Sequence, residues 1–221
     1  MNLPNPNQNS RSSISEDHGI AILSDQDLQI YSVGISTGGS AEIRMAEANP
    51  KRHIIATTID SDGAVYAHEM IQEAKLDQRI EVKIEDITQP LPYDDGHFDF
   101  IYARLILHYL PKLKLVDALN ELYRVLRAKG KIFVVVRSDQ CVEANGPDAI
   151  FDSETGMTTY IAEGRSYSKY FHTEESIVQY LKEAGFHIEQ IKSYEELLCS
   201  DFQRMKPASY VDVLIEVIAA K

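Results

Sequence analysis

The chain has 221 residues, of which 44% are hydrophobic and 25% charged, and its formal net charge is −12 at pH 7. This length suits one large domain that buries its own core. The acidic balance speaks against nucleic acids and anionic membranes as partners, because both attract basic protein surfaces.

The N-terminal composition and the cysteines bear on where the protein works. Residues 1–16 are rich in Asn, Pro and Ser, which predicts a disordered tail before a single domain over residues 17–221. One helix over Ile14–Leu23 remains an alternative interpretation of this segment. The chain shows neither the apolar core of a signal peptide nor an apolar run near the roughly 20 residues of a membrane span. Cys141 and Cys199 lack metal-ligand spacing, so we expect reduced thiols, no metal and a cytoplasmic protein.

Strand and helix patterns alternate after the tail. Apolar and β-branched runs predict five strands, at Leu28–Val33, His53–Ile59, Ile80–Ile84, Phe98–Ala103 and Lys131–Val136. Helical spacing predicts three helices between them, at Ser40–Ala48, Gly63–Lys75 and Asp117–Ala128, the last of them stopped by Gly130. Such alternation over short connections predicts a parallel sheet built from right-handed crossovers.

The C-terminal third completes the predicted fold. Residues 138–172 are irregular and are interpreted as a connection that covers a site. A helix is predicted over Glu174–Ala184, followed by strands at Phe186–Tyr194 and Tyr210–Ala219 that pair antiparallel at the sheet edge. The predicted fold class is therefore α/β, a doubly wound, mostly parallel seven-stranded sheet with an antiparallel C-terminal edge hairpin.

A glycine-rich turn links the first strand to the first helix of this pattern, where backbone can approach a ligand closely. Gly34, Ser36 and Gly39 fit a dinucleotide-binding turn, with Asp60 after the second strand as the ribose acid, which favours an NAD-dependent dehydrogenase. The segment from Gly34 to Gly38 also fits the nucleophile elbow of hydrolases, but too little chain precedes it for that fold. The glycines also fit a plain tight turn.

The order of several further motifs favours a third interpretation. The segment Ser32-x-Gly34-x-Ser36-x-Gly38 is followed by LPYDDGHFDFI from Leu91, LHYL from Leu107, VLRAKGK from Val125, SKYF from Ser168 and EAGF from Glu183. In this order they resemble the class I S-adenosylmethionine-dependent methyltransferases, particularly the small-molecule, ubiquinone-biosynthesis-like type. The resemblance runs from Leu28 to the C-terminus and implies a Rossmann-like methyltransferase fold.

The resemblance implies a cofactor, S-adenosylmethionine, and a set of cofactor-binding residues. Matched to the family's motifs, they are Gly34, Ser36, Gly38, Asp60, Ser61, Asp86, Ile87, Ala103, Arg104 and His108. Asp60 would bind the ribose hydroxyls, and Asp86 with the Ile87 amide would bind the adenine. Helix capping by Asp60, a turn role for Asp86 and a surface position for Arg104 remain alternatives.

The same resemblance implies methyl transfer to a small acceptor that is not strongly anionic. His108 is the candidate catalytic residue, because a histidine near its ordinary pKa of about 6.5 can take a proton from the acceptor. The predicted acceptor pocket is aromatic and consists of Tyr109, Tyr160, Tyr167, Tyr170 and Phe171. Structural packing remains open for all of these residues, and a homodimer remains open for the protein.

Two positions depart from the family's pattern. Ser32 stands in place of the usual acid, and Ser36 in place of the middle glycine, where a Cβ atom would approach the cofactor. A methyltransferase-fold protein that binds a ligand or partner without catalysing transfer is therefore kept as an alternative function.

Overall fold

The computed structural model describes residues 13–35, 37–162, 164–199 and 210–221. Within these ranges the helices are α1 (Ile14–Ala21), α2 (Ser40–Ala48), α3 (Ser61–Glu73), α4 (Lys112–Val125) and α5 (Glu174–Glu183). The strands are β1 (Gln29–Val33), β2 (His53–Thr58), β3 (Ile80–Ile84), β4 (Phe98–Arg104), β5 (Leu126–Arg137), β6 (Ile150–Phe151), β7 (Thr158–Ala162), β8 (Arg165–Lys169), β9 (His187–Glu196) and β10 (Asp212–Ala220).

Seven of the strands form one sheet in the order β3-β2-β1-β4-β5-β10-β9. Strands β1 to β5 run parallel, and β10 pairs antiparallel with both β5 and β9. The predicted doubly wound fold with its antiparallel C-terminal edge is confirmed. Because the first strand is central and the chain winds outward on both sides of it, the carboxyl ends of β1 and β4 meet at a topological switch point.

Each face of the sheet carries its own apolar core. On one face Leu119 of α4 and Ile177 of α5 pack with Ile132 of β5. On the other face Met45 of α2 and Ile71 of α3 pack with strand residues that point the opposite way. Burial on both faces explains why these strands are nearly continuous apolar runs, since alternation is needed only where one face meets water.

Several element boundaries differ from the sequence prediction, and those of α4 and β5 differ most. The fourth helix ends at Val125, not at Ala128, and the chain becomes extended at Leu126. Gly130 therefore lies inside β5 and does not stop the helix. A register shift between Phe98 and Phe100 on β4 accommodates the residues between Leu126 and Lys131. Gly130 belongs to this irregular part of β5, where a glycine resembles a helix stop in the sequence.

The N-terminal tail and the long connection are also more structured than predicted. Helix α1 begins at Ile14 and is capped by Ser13, whose side chain accepts from the Glu16 amide, so the tail boundary at residue 16 is wrong. Residues 1–12 lie outside the described part. Within 138–172, strands β6, β7 and β8 form a separate antiparallel sheet. No helix of the described residues is both long and apolar enough to cross a membrane.

Candidate functional site

The turn after β1 lies against the chain that follows β4. Gly34 has φ 71° and Gly38 has φ 62°, a left-handed conformation that side chains disfavour. A Cβ atom on Gly34 would come within 2.7 Å of the Ile106 side chain. The tight approach, as well as the backbone angle, therefore requires glycine at this position. Ser36 lies outside the described residues.

Ser32, which stands where the family has an acid, has a carboxylate as its neighbour. Its hydroxyl donates to Glu42 Oε1 at 2.5 Å, and both side chains are fully buried. Glu42 lies in the first turn of α2, so its side chain places a carboxylate at the end of β1. The sequence interpretation missed Glu42; its signal was an acid among the apolar positions of α2.

Asp60 follows β2 and caps α3. Its Oδ1 atom accepts from the Asp62 amide at 3.1 Å, which is the capping role that was kept as an alternative. The side chain is exposed, and its second oxygen has no hydrogen-bond partner among the described residues. Ser61, the first residue of α3, is exposed beside it. Capping therefore leaves a carboxylate oxygen available at this edge.

Three consecutive residues after β3 face in different directions. Glu85 accepts from the hydroxyl groups of Tyr31 and Tyr93, so its carboxylate is used inside the fold. Asp86 is exposed and accepts from the Thr88 amide at 2.9 Å, an interaction that lowers the pKa of Asp86. The buried Ile87 makes no amide hydrogen bond to another described residue. An exposed carboxylate and, among the described residues, an amide without a hydrogen-bond partner thus follow β3.

The side chain of Arg104, at the end of β4, turns away from the predicted cofactor edge. Ala103 is fully buried in the sheet. The Arg104 guanidinium turns toward α1, where its Nη2 donates to Ser13 Oγ at 2.6 Å and its Nε to Ser15 Oγ at 2.7 Å. Glu196 completes this contact at 3.8 Å. These contacts occupy the side chain, so only the Arg104 backbone remains at the predicted cofactor edge.

A cavity of about 730 Å³ opens beside the end of β4. Leu105 and His108 line it from the β4 side, and residues of the connection after β5 line it opposite. His108 is 1% exposed, and its Nδ1 atom has no hydrogen-bond partner among the described residues. Burial and the nearby Lys169, Arg137 and His172 lower the pKa of His108 well below 6.5. The expected near-ordinary pKa of His108 is therefore wrong, and its ring is neutral near pH 7.

The five aromatic residues predicted for the acceptor pocket divide into two groups. Tyr109, Tyr160 and Tyr167 line the cavity, with the rings of Tyr160 and Tyr167 stacked at 5.8 Å. Tyr170 does not line it and instead shares a hydroxyl hydrogen bond of 2.8 Å with Tyr180 on α5. Phe171 packs in a small core with Cys141 and Tyr160. Tyr170 and Phe171 therefore support the wall from behind.

An ion-pair network, not foreseen from the sequence, forms the far side of the cavity. Arg137, at the end of β5, donates through Nη2 to Glu143 Oε1 at 2.6 Å and also to Asp212. Burial acts to lower the pKa of Arg137, but the neighbouring Glu143 turns the net change into a rise. Cys141, Glu143 and Asp212 place ligand-type atoms within 4.8 Å of one another. Because Arg137 contacts both carboxylates, this cluster is an ion-pair network.

Buried polar atoms without partners concentrate at this cavity. Among the described residues they include His108 Nδ1, Arg137 Nε and Glu143 Oε2, all from residues that line it. Buried polar groups normally have hydrogen-bond partners, so such a concentration indicates a place where a polar ligand or solvent belongs. Sequence patterns could not show it, because the residues come from three separate segments.

Comparison with known proteins supports the resemblance to methyltransferases. Residues 30–130, which contain the glycine turn and β2 to β4, match the family described as a methyltransferase domain. The match covers slightly less than half of the chain and agrees with the resemblance to class I S-adenosylmethionine-dependent methyltransferases that the sequence motifs show. S-adenosylmethionine is the cofactor that this match and the similar structures indicate. No curated protein matches the sequence at a significant level.

Solved structures of low sequence identity share the fold of this chain. A Pyrococcus horikoshii protein is 12% identical, with a TM-score of 0.72 over 93% of this chain and 87% of its own. A Methanosarcina mazei protein described as an S-adenosylmethionine-dependent methyltransferase is 19% identical, with a TM-score of 0.67 over 91% and 95%. The [4+2]-cyclase SpnF is 19% identical, with a TM-score of 0.66 over 93% and 79%.

Proposed function

We propose that this protein transfers the methyl group of S-adenosylmethionine to a small molecule held in the cavity beside His108. The observation that carries the proposal is one sheet edge at which four features meet. These are the glycine turn, the exposed carboxylates of Asp60 and Asp86, the unpaired Ile87 amide and, next to them, a cavity with unpartnered buried polar atoms. Ligands of doubly wound sheets bind at this edge.

The groups left unused by the fold fit the parts of S-adenosylmethionine. The free oxygen of Asp60 suits the ribose hydroxyls, since a carboxylate can accept several hydrogen bonds while it caps α3. Asp86 and the Ile87 amide suit the donor and acceptor edge of adenine. The close-packed turn at Gly34 and Gly38 brings backbone to the methionine part. The exposed Ser61, the Ala103 and Arg104 backbone, and Ser36 complete the proposed set.

Glu42 provides the negative charge that Ser32 lacks. The cofactor's methionine part carries an amine, and its sulfur is positively charged. A buried carboxylate bonded to Ser32 at the end of β1 raises the local negative potential where these cations would lie. We therefore assign Glu42, acting through Ser32, to positioning the cofactor's amine.

The protein's part in the reaction is positioning. S-adenosylmethionine, when bound, supplies a methyl group already activated by its positively charged sulfur. The cavity walls hold the acceptor at a fixed place and keep water away, which supplies much of the rate gain for a transfer between two bound molecules. Neutral, buried His108 offers Nδ1 as a hydrogen-bond partner for the acceptor, and its lowered pKa makes it a weak base.

Calorimetric titration of the purified protein with S-adenosylmethionine tests the cofactor proposal. We expect saturable one-site binding, and binding of S-adenosylhomocysteine at the same site by competition. NAD serves as the matched nucleotide control and should give no heat. Saturable NAD binding with no response to either adenosyl compound would overturn the proposal and restore the dehydrogenase interpretation.

A second candidate function is ligand binding or catalysis on this fold without methyl transfer. Ser32 and Ser36, the departures from the family's pattern, favour it, and the similar [4+2]-cyclase bears a name that describes no methyl transfer. Formation of S-adenosylhomocysteine, followed by mass spectrometry during incubation with small-molecule extracts, separates the two. Product above the protein-free rate supports transfer, while tight cofactor binding without product in every extract supports the second candidate.

A further inference from the structure

One lysine of the cavity is buried without an anionic partner. Lys169, the last residue of β8, is 8% exposed and lines the cavity. Its Nζ lies 5.8 Å from the centre of the Tyr109 ring and 5.6 Å from that of Tyr160. The Nζ atom of Lys169 has no hydrogen bond or ion pair to any residue in the described part of the chain. Desolvation disfavours such an ammonium and, with Arg137 nearby, lowers the pKa of Lys169 to about 8.

The two buried acidic residues of the cavity have partners other than Lys169. Glu143 Oε1 accepts from Arg137 and from the Tyr210 hydroxyl at 2.7 Å, and Asp212 accepts from Arg137. Among these charges, Arg137 has the largest effect on the pKa of Lys169 and lowers it, while Glu143 acts to raise it. Within the described residues no carboxylate forms an ion pair with Lys169, so a bound anion would meet an ammonium group without a direct partner.

Titratable groups surround Lys169 in the cavity. His108 is buried beside it with Nδ1 unpartnered, and cations rather than anions lower the pKa of His108. The titratable groups that line the cavity around Lys169 are His108, Tyr109, Arg137, Glu143, Asp148, Tyr160, Tyr167, Cys199, Tyr210 and Asp212. The corner formed by Lys169 and His108 thus offers hydrogen bonds and, within the described residues, an ammonium group that is in no ion pair.

We propose that the methyl acceptor is an aromatic carboxylate, whose carboxylate pairs with Lys169 and hydrogen-bonds to His108 while its ring lies among Tyr109, Tyr160 and Tyr167. The inference rests on the proposed function, because only methyl transfer makes the bound carboxylate a methyl acceptor. The cavity volume of about 730 Å³ lies within the roughly 300–1,000 Å³ that small-molecule sites span. Tyrosine side chains present large apolar faces to such a ring.

A single negative charge fits this corner better than a double one. In the described part of the chain Lys169 is the cavity's one cation without an anionic partner, since Arg137 already contacts two carboxylates. A phosphate dianion would leave one charge unpaired next to Glu143 and Asp212. The sequence predicts an acceptor that is not strongly anionic, and the charges around Lys169 specify this further as an acceptor with a single negative charge.

Pairing with an anion changes the protonation of Lys169 and gives the proposal a pH signature. An anion favours the ammonium form, so its binding raises the pKa of Lys169 above about 8. Above that pH the free protein must take up a proton on binding. Affinity for a ligand that is fully ionised should therefore be constant below about pH 7.5 and fall through about pH 9.

Calorimetry with three benzoate-type probes tests the proposal on the full chain. The probes are 4-methoxybenzoate, its neutral methyl ester and 4-methoxyphenylphosphonate, which carry no phenol that would titrate near pH 9. We expect 4-methoxybenzoate to bind at least about tenfold more tightly than the ester and the dianionic phosphonate, a difference of about 1.4 kcal/mol. Equal binding of acid and ester, or tighter binding of the phosphonate, would overturn the proposal.

Substitutions identify the residue. Lys169→Met should reduce 4-methoxybenzoate affinity at least about tenfold and abolish its loss above about pH 8, while Lys169→Arg should retain most of the affinity. Lys182→Met, at an exposed lysine on α5, is the matched control and should bind as the unaltered chain does. Unchanged affinity in a folded Lys169→Met protein would contradict the assignment. If Lys169→Met does not fold, the pH profile of the unaltered chain decides, and a flat profile through about pH 9 refutes it.

The cofactor titration separates the failure of this inference from that of the proposed function. Lys169→Met should bind S-adenosylmethionine as the unaltered chain does, because Lys169 is not among the residues proposed to hold the cofactor. Binding of 4-methoxybenzoate without any cofactor binding would leave a carboxylate site and remove methyl transfer. Cofactor binding with no preference for the carboxylate would leave methyl transfer and remove the aromatic carboxylate.

Discussion

Ser32 of β1 donates its hydroxyl hydrogen to Glu42 of α2 across 2.5 Å, with both side chains fully buried. The pair places a carboxylate from the first turn of α2 at the end of β1. A buried charge is tolerated only where its hydrogen bonds are made, so the two positions are coupled energetically. Four testable predictions follow, and they concern this coupling, the exposed Asp60, the buried histidines and Arg137.

Exchanging the acid between Ser32 and Glu42 measures their coupling. Ser32→Asp alone places two carboxylates in one buried space and should lower the free energy of unfolding by roughly 2–4 kcal/mol. The double variant Ser32→Asp with Glu42→Gln restores one charge and one hydrogen bond, so it should recover most of that loss. Urea denaturation of the four proteins gives the double-mutant cycle. Additive losses would show that the two side chains do not interact.

Asp60 is predicted to serve α3 and the cofactor at once. Asp60→Ala should weaken S-adenosylmethionine binding by roughly 1.5–3 kcal/mol and also lower the free energy of unfolding by about 1 kcal/mol through loss of the cap. Asp60→Asn keeps a capping oxygen but removes the charge, so it should affect binding far more than unfolding. Calorimetry and urea denaturation are measured on both variants. Full cofactor affinity in Asp60→Asn would leave Asp60 with the capping role alone.

The buried histidines make stability fall in mild acid. Burial lowers the pKa of His172 to about 3, and that of His108 falls well below 6.5. Each folded-state pKa lies below the unfolded value, so the unfolded chain binds more protons and stability is lost as pH falls below about 6.5. The expected slope is about 1.4 kcal/mol per pH unit for each fully buried histidine.

Urea denaturation between about pH 7 and about pH 5 measures this slope, before most carboxylates titrate. His172→Gln should reduce it by the share of one histidine, since Gln carries no titrating group. His187→Gln, at an exposed histidine of β9, is the control and should leave the slope unchanged. A stability that is independent of pH over this window would show that His108 and His172 are not buried as neutral rings.

Arg137 is predicted to hold the wall of the cavity together. Arg137→Met removes the partner of Glu143 and Asp212 and leaves two buried carboxylates facing each other. The free energy of unfolding should fall by roughly 3–5 kcal/mol at neutral pH, the cost of breaking a buried ion pair. Adding Glu143→Gln and Asp212→Asn should restore a large part of it. Thermal unfolding of the single and triple variants provides the comparison, and a larger loss in the triple variant would contradict the ion-pair account.

The sequence predicted the sheet well because its signals are local. The continuous apolar run at His53–Thr58 and the spacing of α2 each follow from burial of one element, and α2 and β3 begin and end where predicted. The boundary between α4 and β5 was misplaced because Leu126 satisfies both a helical face and a strand. Helix α1 was assigned partly to the tail because its polar residues Ser15 and Glu16 are buried by distant partners, a fact that composition cannot show.

The candidate site divides in the same way. Gly34, Asp60 and Asp86 follow strands, so their place at one edge was determined by the sequence once the strands were parallel. The partners of buried charges were decided by the tertiary structure alone. Arg137 meets Asp212 from 75 residues away, and Arg104 meets Ser13 from 91. Periodicity reports which side of an element is buried, whereas the cost of an unpaired buried charge is settled only by what packing brings next to it.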